Sequence, residues 1–293
     1  MKGSASVSLS ADAPCKINRE LRVGRLRPDG YHELRSRMVT IDLADTLRAE
    51  ESDVLELSCD DHTLPSGPEN LVLRAAVRLA DAAGTRLGAK IRLEKRVPAG
   101  GGLGGGSSDA ACTLRLLAAL WGLSVPDDDL VRLAAGLGSD VPFFLSGGEA
   151  EVSGRGDRVA ARPDDGAGAE LLLLVPPFPV STAAVYREFA GRGTLPERLA
   201  LDDPDRTRYL GPNDLAPAVL AIEPRMGTYV HSAAAATSDW AISGSGATIV
   251  LSGAPPGTIE ALRRRHPDAR VVPCRSLSRA EYLERTRPTG GIP

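Results

Sequence analysis

"VPAGGGLGGGSSDAACTL", residues 97–114, is the stretch on which the reading of this chain turns. Six of the seven residues from Gly100 to Gly106 are glycine, two serines follow, and helical spacing then begins. "KIRLEKRVP" just upstream has strand character, so the glycines stand between a strand and a helix. Glycine lets the backbone approach a bound group closely and present successive N–H donors to it. Ser107 and Ser108 add hydroxyls at the mouth of a helix. Its first-turn N–H groups and dipole favour an anion by about 0.3–1 kcal/mol per charge. The stretch is expected to hold the phosphates of a nucleotide. The plainer alternative is a flexible loop ending in a serine cap. Asp109, in the same first turn, would repel a phosphate unless it points aside or shares a cation.

Three better-known nucleotide loops fail on this stretch. A Walker loop needs a lysine after its last glycine, and none lies between Val97 and Leu114. A G-x-G-x-x-G fingerprint is met by Gly100, Gly102 and Gly105, but among so many glycines that match is nearly free. Its context is also wrong, because Asp127 to Asp129 open a helix where a strand-end acid is needed. The protein-kinase loop lacks its H-R-D and D-F-G partners.

Outward from the glycines, the chain mixes strands and helices without a regular βαβ alternation, which predicts an α+β fold. Period-2 alternation through Val7, Leu9, Ile17, Leu21, Val23, Val39, Ile41, Leu43, Leu55 and Leu57 predicts strands over the first sixty residues. "RPDGYHEL" interrupts them with the turn Pro28-Asp29-Gly30. Leu71, Leu79 and Ala82 predict a helix that stops at Gly84. A second helix is expected from Ser107 or Ser108 to Trp121, and a third from an Asp127 cap to Gly138. "RPDDGAGAE" marks a lobe boundary, giving lobes 1–162 and 163–293. Beyond it come the buried strand "LLLLVPPF", a helix at 182–190 and a polar connection, "LPERLALDDPDRTRYLGPND". A glycine turn entering a strand, a short helix and a final strand "ARVVPCRSL" complete the pattern. The last dozen residues have no periodicity and are expected to be disordered.

The chain has 293 residues, 42% hydrophobic and 25% charged, which suits a globular protein with a sizeable core. A net charge of −3 argues against nucleic acid as a partner. No secretory leader and no span-length apolar run is present, so no membrane partner and a cytoplasmic location are expected. Four scattered cysteines without a C-x-x-C pair predict reduced thiols rather than a metal site.

Candidate chemistry lies at three further places. Strand period puts Lys16, Asn18, Glu20 and Arg22 on one face, opposite Ile17, Leu21 and Val23, with Arg19 breaking the apolar side. Lys16 and Asn18 would point at one site, where an ammonium can neutralise a transferring phosphoryl group; a solvated strand face is the alternative. Asp140 in "GSDVPFF" is either a helix cap or a carboxylate that orients or deprotonates a hydroxyl. Tyr31 and His32 could stack on a base or simply cover their turn.

Taken together, "APCKIN", "DGYHEL", "PAGGGLGGGSSDAA", "GSDVPFFLSGG" and "SGSGATIVLSG" resemble the GHMP small-molecule kinases, from about Ala13 to Gly253. "DGYHEL" after "KIN", with "SDVPFFL" later, is similar to the branch acting on cytidylylated methylerythritol on the non-mevalonate route to isoprenoid precursors. The resemblance implies a two-lobed fold, with an N-terminal ribosomal-protein-S5-like lobe, a C-terminal ferredoxin-like lobe, and ATP and substrate between them. It implies that Pro98, Gly100, Gly101, Gly102, Leu103, Gly104, Gly105, Gly106, Ser107 and Ser108 wrap the ATP phosphates, with Gly244 and Gly246 nearby. Asp140 would orient or deprotonate the attacking alcohol, and Lys16 would keep Asp140 ionised and stabilise transferred charge. Asn18, Tyr31, His32 and Tyr186 would bind the cytidine diphosphate end of a small-molecule substrate. Magnesium would accompany ATP on unassigned ligands, and the chain would be a monomer or homodimer. A mevalonate- or homoserine-type kinase and a silent nucleotide-binding protein on the same fold are the alternatives. Arg19 and Glu20 after "KIN", and the insert-like "LDDPDRTRYLG", depart from the family pattern.

Overall fold

The computed structural model describes residues 7–84, 87–192, 199, 201 and 208–291. Two sheets organise it. The first contains β1 (Ser8–Leu26), β2 (His32–Ser52), β3 (Leu55–Cys59) and β4 (Gly88–Glu94). It runs in the order β11-β1-β2-β4-β3, where β11 is Thr289–Gly291. β5 (Glu149–Gly154) also pairs with β2, and β6 (Arg158–Ala161) pairs with β5. The second sheet, order β10-β7-β9-β8, contains β7 (Glu170–Val175), β8 (Trp240–Ile242), β9 (Ile249–Ser252) and β10 (Arg270–Arg275).

β7 explains how the sheets join. Leu171, Leu173 and Val175 meet Cys15, Ile17, Val39 and Ile41 of the first sheet in one apolar cluster. Leu172 and Leu174 face the main core on the other side. A strand covered on both faces reads as a continuous apolar run, which is what "LLLLV" is. Each fully buried leucine or isoleucine there contributes about 1.5–3 kcal/mol.

The first-lobe helices pack against the first sheet. α1 (Leu71–Ala82) buries Val72, Ala75, Ala76 and Leu79, and Asn70 caps it by accepting from the Val72 N–H at 2.9 Å. α2 (Gly105–Leu120) is buried along nearly its whole length from Ser108 to Leu120. It begins at Gly105, two residues before the expected start, because Gly105 and Gly106 already have helical backbone. A Cβ on Gly105 would lie 2.9 Å from the Val97 side chain, so the close packing of the helix on the loop after β4 excludes one. α3 (Asp127–Leu137) is capped by Pro126, and Asp127 is its first helical residue instead of the expected cap. The three aspartates then sit in the first turn, where the helix dipole favours them.

The later helices are α4 (Thr182–Ala190), α5 (Ala216–Ile222), α6 (Met226–Ala236), α7 (Thr258–Arg265) and α8 (Arg279–Arg285). The stretch expected to be disordered instead holds the end of α8 and then β11, up to residue 291; residues 292 and 293 lie outside the described residues. A capping box of Ser278 and Glu281 starts α8. β11 pairs Thr289 to Gly291 with Ser10 to Ser8, a backbone ladder that needs no side-chain period. The chain passes from first to second sheet between β6 and β7, but β11 returns to the first. The segment 163–293 is therefore not confined to the second sheet. Much of the polar connection, residues 195–198, 200 and 202–207, lies outside the described residues.

The predicted single face of β1 is corrected by register slips between Pro14 and Lys16 and between Asn18 and Glu20. Ala11 and Ala13 belong to the main core, Cys15 and Ile17 to the inter-sheet cluster, and Leu21 and Val23 to the main core again. Only Lys16 and Asn18 are thereby turned to the glycine loop. Glu20 and Arg22 bond each other at 3.0 Å, and Arg22 reaches Asp214 at 3.2 Å. Arg19 is the extra residue at the second slip. Its guanidinium bonds Glu149 at 2.7 Å and the Tyr209 carbonyl at 2.9 Å, and lies over the Tyr209 ring.

Candidate active site

The glycine loop joins β4 to α2 through three residues of positive φ: Gly100, Gly102 and Gly104. At Gly102 the reason is close approach as well as φ, since a Cβ there would lie 2.1 Å from the Ser243 carbonyl oxygen. That carbonyl belongs to the turn between β8 and β9, so the two glycine turns are packed backbone to backbone. The Thr248 N–H donates to Gly101 O at 3.2 Å, and the Ser243 hydroxyl to Gly102 O at 3.0 Å. Leu103 is buried in the inter-sheet cluster, and its carbonyl accepts from the Lys16 N–H at 3.0 Å. Gly104 caps α2 with no side chain, so among the described residues no side-chain cap takes the first-turn donors that an anion would use.

The two serines divide. Ser107 is partly exposed at the mouth of α2. Ser108 is 1% exposed, and its hydroxyl donates to Pro14 O at 2.8 Å, anchoring the helix to β1. Asp109 shares a cation. Its carboxylate takes Lys95 Nζ at 2.8 Å, and the same ammonium bonds the buried Asp45 carboxylate. Asp45 also accepts from the Val97 N–H at 2.8 Å and so ties the start of the loop to β2. Two buried carboxylates on one ammonium leave an excess negative charge in a dry site. Burial first, and then Asp45, push Asp109 up to about 8 despite Lys95.

Lys16 and Asp140, 3.7 Å apart, form the polar centre. Lys16 is buried, while the Asp140 side chain is 31% exposed. Lys16 Nζ donates to Asn18 Oδ1 at 2.6 Å and to Gly102 O at 3.0 Å. Burial lowers the Lys16 ammonium from its ordinary range, and the Asp140 carboxylate opposes that shift. Asp140 stands in the turn after α3, just before the short 3-10 helix Pro142–Leu145. The phenol of Tyr282 on α8 donates to Phe144 O at 2.5 Å and fixes that helix from below. The Phe144 ring and Lys16 Cε occupy the space that a side chain on Gly104 would fill.

His32 is buried, with Nδ1 2.8 Å from Gly24 O, and its ring stacks on Tyr186 at a 5.7 Å centroid distance. Phe189 meets the same ring edge-on at 5.8 Å. Burial and the Asp140 carboxylate raise the Tyr186 phenol well above its ordinary range, so it stays protonated. Tyr31 is 50% exposed, with Arg155 5.4 Å from its ring centroid. The structure thus gathers His32, Tyr186 and Asp140 and leaves Tyr31 outside at the rim. The Asn18 amide is engaged at both ends, by Lys16 and by Ser36, within the protein.

Several site residues escaped the sequence reading. Asn213 donates to Ile242 O and Gly244 O, both at 2.7 Å, and accepts from Leu215 N–H at 2.9 Å. It holds the turn carrying Gly244 and Gly246. Thr182 at the start of α4 hydrogen-bonds Ser245 at 2.7 Å and ties α4 to the same turn. An Asn-Asp pair after a proline is a signal for such local bonding, but not for its distant partner. Asp45 and Lys95 gave no pattern, since only tertiary packing pairs them.

Among the described residues no helix is long and apolar enough to cross a membrane. The family model for the GHMP kinases N terminal domain matches residues 70–148. A 4-diphosphocytidyl-2-C-methyl-D-erythritol kinase of Salinibacter ruber is 41% identical over 254 residues, covering 84% of this chain and 89% of its own. The crystal structure of a 4-(cytidine 5'-diphospho)-2C-methyl-D-erythritol kinase superposes with a TM-score of 0.74 and 34% identity, over 92% of this chain and 99% of that one. A homoserine kinase structure from Cytophaga hutchinsonii has a TM-score of 0.68 at 18% identity, over 99% of this chain and 98% of that one, and shares the fold. The chain belongs to the 4-diphosphocytidyl-2-C-methyl-D-erythritol kinase family, a branch of the GHMP kinases.

Proposed function

We propose that the chain transfers the γ-phosphoryl group of ATP to the 2-hydroxyl of 4-diphosphocytidyl-2-C-methyl-D-erythritol. The observation that carries this reading is the Lys16–Asp140 pair set directly against the glycine loop, with Lys16 bonded to the loop at Gly102. Family membership supplies the substrate.

In this reading the loop from Gly100 to Gly106, flanked by Pro98 and Ser107, receives the phosphates on backbone N–H groups and the α2 dipole. Gly244 and Gly246 close the opposite side. Asp140 faces the substrate alcohol and accepts or orients its proton. The 2-oxygen bonds the γ-phosphorus as the bond from that phosphorus to the β,γ-bridging oxygen breaks, and ADP leaves. Lys16 offsets the charge on the transferring group. The His32–Tyr186 pair would form one wall for the cytosine, with Tyr31 closing its rim. The Asn18 amide serves Lys16 before it serves the cytidine.

Among the described residues no trio of His, Cys, Asp or Glu side chains could hold a metal ion. Magnesium carried in on the nucleotide phosphates would neutralise phosphate charge. The test is Asp140→Asn, which removes the proton acceptor and keeps the shape. ATP binding is expected to persist, and turnover to fall by about two orders of magnitude or more. Unchanged turnover would remove Asp140 from the chemistry.

A further inference from the structure

Behind Lys16 lies a serine that no part of the mechanism uses. Ser36 on β2 is 0% exposed, and its hydroxyl joins two groups of β1. It donates to Glu20 O at 2.7 Å and accepts from Asn18 Nδ2 at 2.7 Å. A hydroxyl has one proton, and a carbonyl can only accept, so that proton goes to Glu20 O. Toward Asn18 the serine oxygen is then an acceptor alone. The Asn18 amide must turn its NH2 to Ser36, which turns Oδ1 to Lys16, 2.6 Å away. An ammonium only donates, so both ends of the amide demand the same orientation. A flipped amide would set NH2 against ammonium and break both bonds.

We propose that Ser36 is a positioning residue for the phosphoryl transfer, acting on Lys16 through the orientation of the Asn18 amide. The proposal rests on the catalytic reading of Lys16. Among the described residues three contacts hold Lys16 Nζ, namely Asn18 Oδ1, Gly102 O and the longer one to Asp140. The loop contact is a backbone carbonyl in a turn fixed by packing, and Asp140 has the substrate to serve. Asn18 is the contact whose direction depends on a third group. The titratable groups acting on Lys16 are Asp140, from the turn after α3, and the Cys15 thiol on its own strand; Tyr186 on α4 faces the same carboxylate.

The sequence makes the test direct, because its lysines are Lys2, Lys16, Lys90 and Lys95. The full-length chain is labelled with ¹³Cε-lysine, Lys16 is assigned with a Lys16→Met sample, and each amine is titrated by NMR without ligands. Ser36→Ala is expected to lower the Lys16 titration by about one pH unit, because the ammonium loses a held acceptor. Lys95 should not move. Turnover should drop about tenfold, with the KM for ATP within about twofold and the alkaline limb of kcat moved to lower pH. Ser36→Cys fills the same space with a weak acceptor and should shift Lys16 the same way if the alanine chain does not fold. A Lys16 titration unchanged in the variant that folds would overturn the proposal. A shifted titration with unchanged turnover would overturn instead the catalytic reading of Lys16.

Discussion

The site is built from two glycine turns that are held in place by different means. The turn at Gly100–Gly104 opens a 16-residue helix, and its positive-φ glycines and buried Leu103 are its own. The turn at Ser243–Ala247 joins two short strands. Asn213 and Thr182 hold it from 31 and 63 residues away, through their bonds to Gly244 and Ser245. A local device can be read from adjacent residues. A device made of distant side chains leaves glycines in the sequence without their reason.

That comparison breaks first at the contact between the turns. Gly102→Ala puts a Cβ into the Ser243 carbonyl at a φ of +76° and must displace one turn from the other. Turnover is expected to fall at least about a hundredfold, as misplacement by an ångström does. Steady-state kinetics beside a thermal melt would check it, and near-normal turnover would mean that the turns need not touch.

Next is Asn213→Ala, which strips two backbone carbonyls at the second turn and the Leu215 N–H beside α5 of their partner. A loss of about 2–3 kcal/mol in denaturant unfolding is expected, at about 1 kcal/mol per bond, together with weaker ATP binding. If the chain unfolds earlier but binds ATP as before, the turn does not depend on Asn213 for its shape.

The smallest effect concerns the base of the first turn. A raised Asp109 means that the folded chain holds more protons than the unfolded chain between about pH 4 and about 8. Stability should therefore decline as pH rises through that window, by at most about 1.4 kcal/mol per pH unit. In Asp109→Asn the decline should flatten, leaving Lys95 to Asp45. Urea unfolding at pH 6, 7 and 8 reads the slopes, and parallel slopes would show that Asp109 is ionised throughout.

The same division governs what was legible. The α+β class, α1, the start of β7 and the strand–glycine–helix order followed from periodicity and from the placement of glycines. Lys16 and Asn18 could be put on one face, but the slip at Arg19 could not be seen, so Glu20 and Arg22 were carried along with them. A slip is set by the partner strand, which period-2 counting ignores. Periodicity assigns no element to residues 215–239, where α6 runs through "SAAAA" and offers no apolar stripe to count. Asp140 stood out by its neighbours Pro142, Phe143 and Phe144, whereas its ammonium partner lies 124 positions earlier, from residue 16 to residue 140. Of the Asp45–Lys95–Asp109 cluster the sequence offers only that Asp109 either points aside or shares a cation, and packing alone supplies which.

The most direct measurement is ADP release from magnesium-ATP with cytidylylated methylerythritol, mevalonate and homoserine compared side by side. Turnover with the first alone is the expected result. Turnover with either of the others, or none while ATP still binds, would contradict the account.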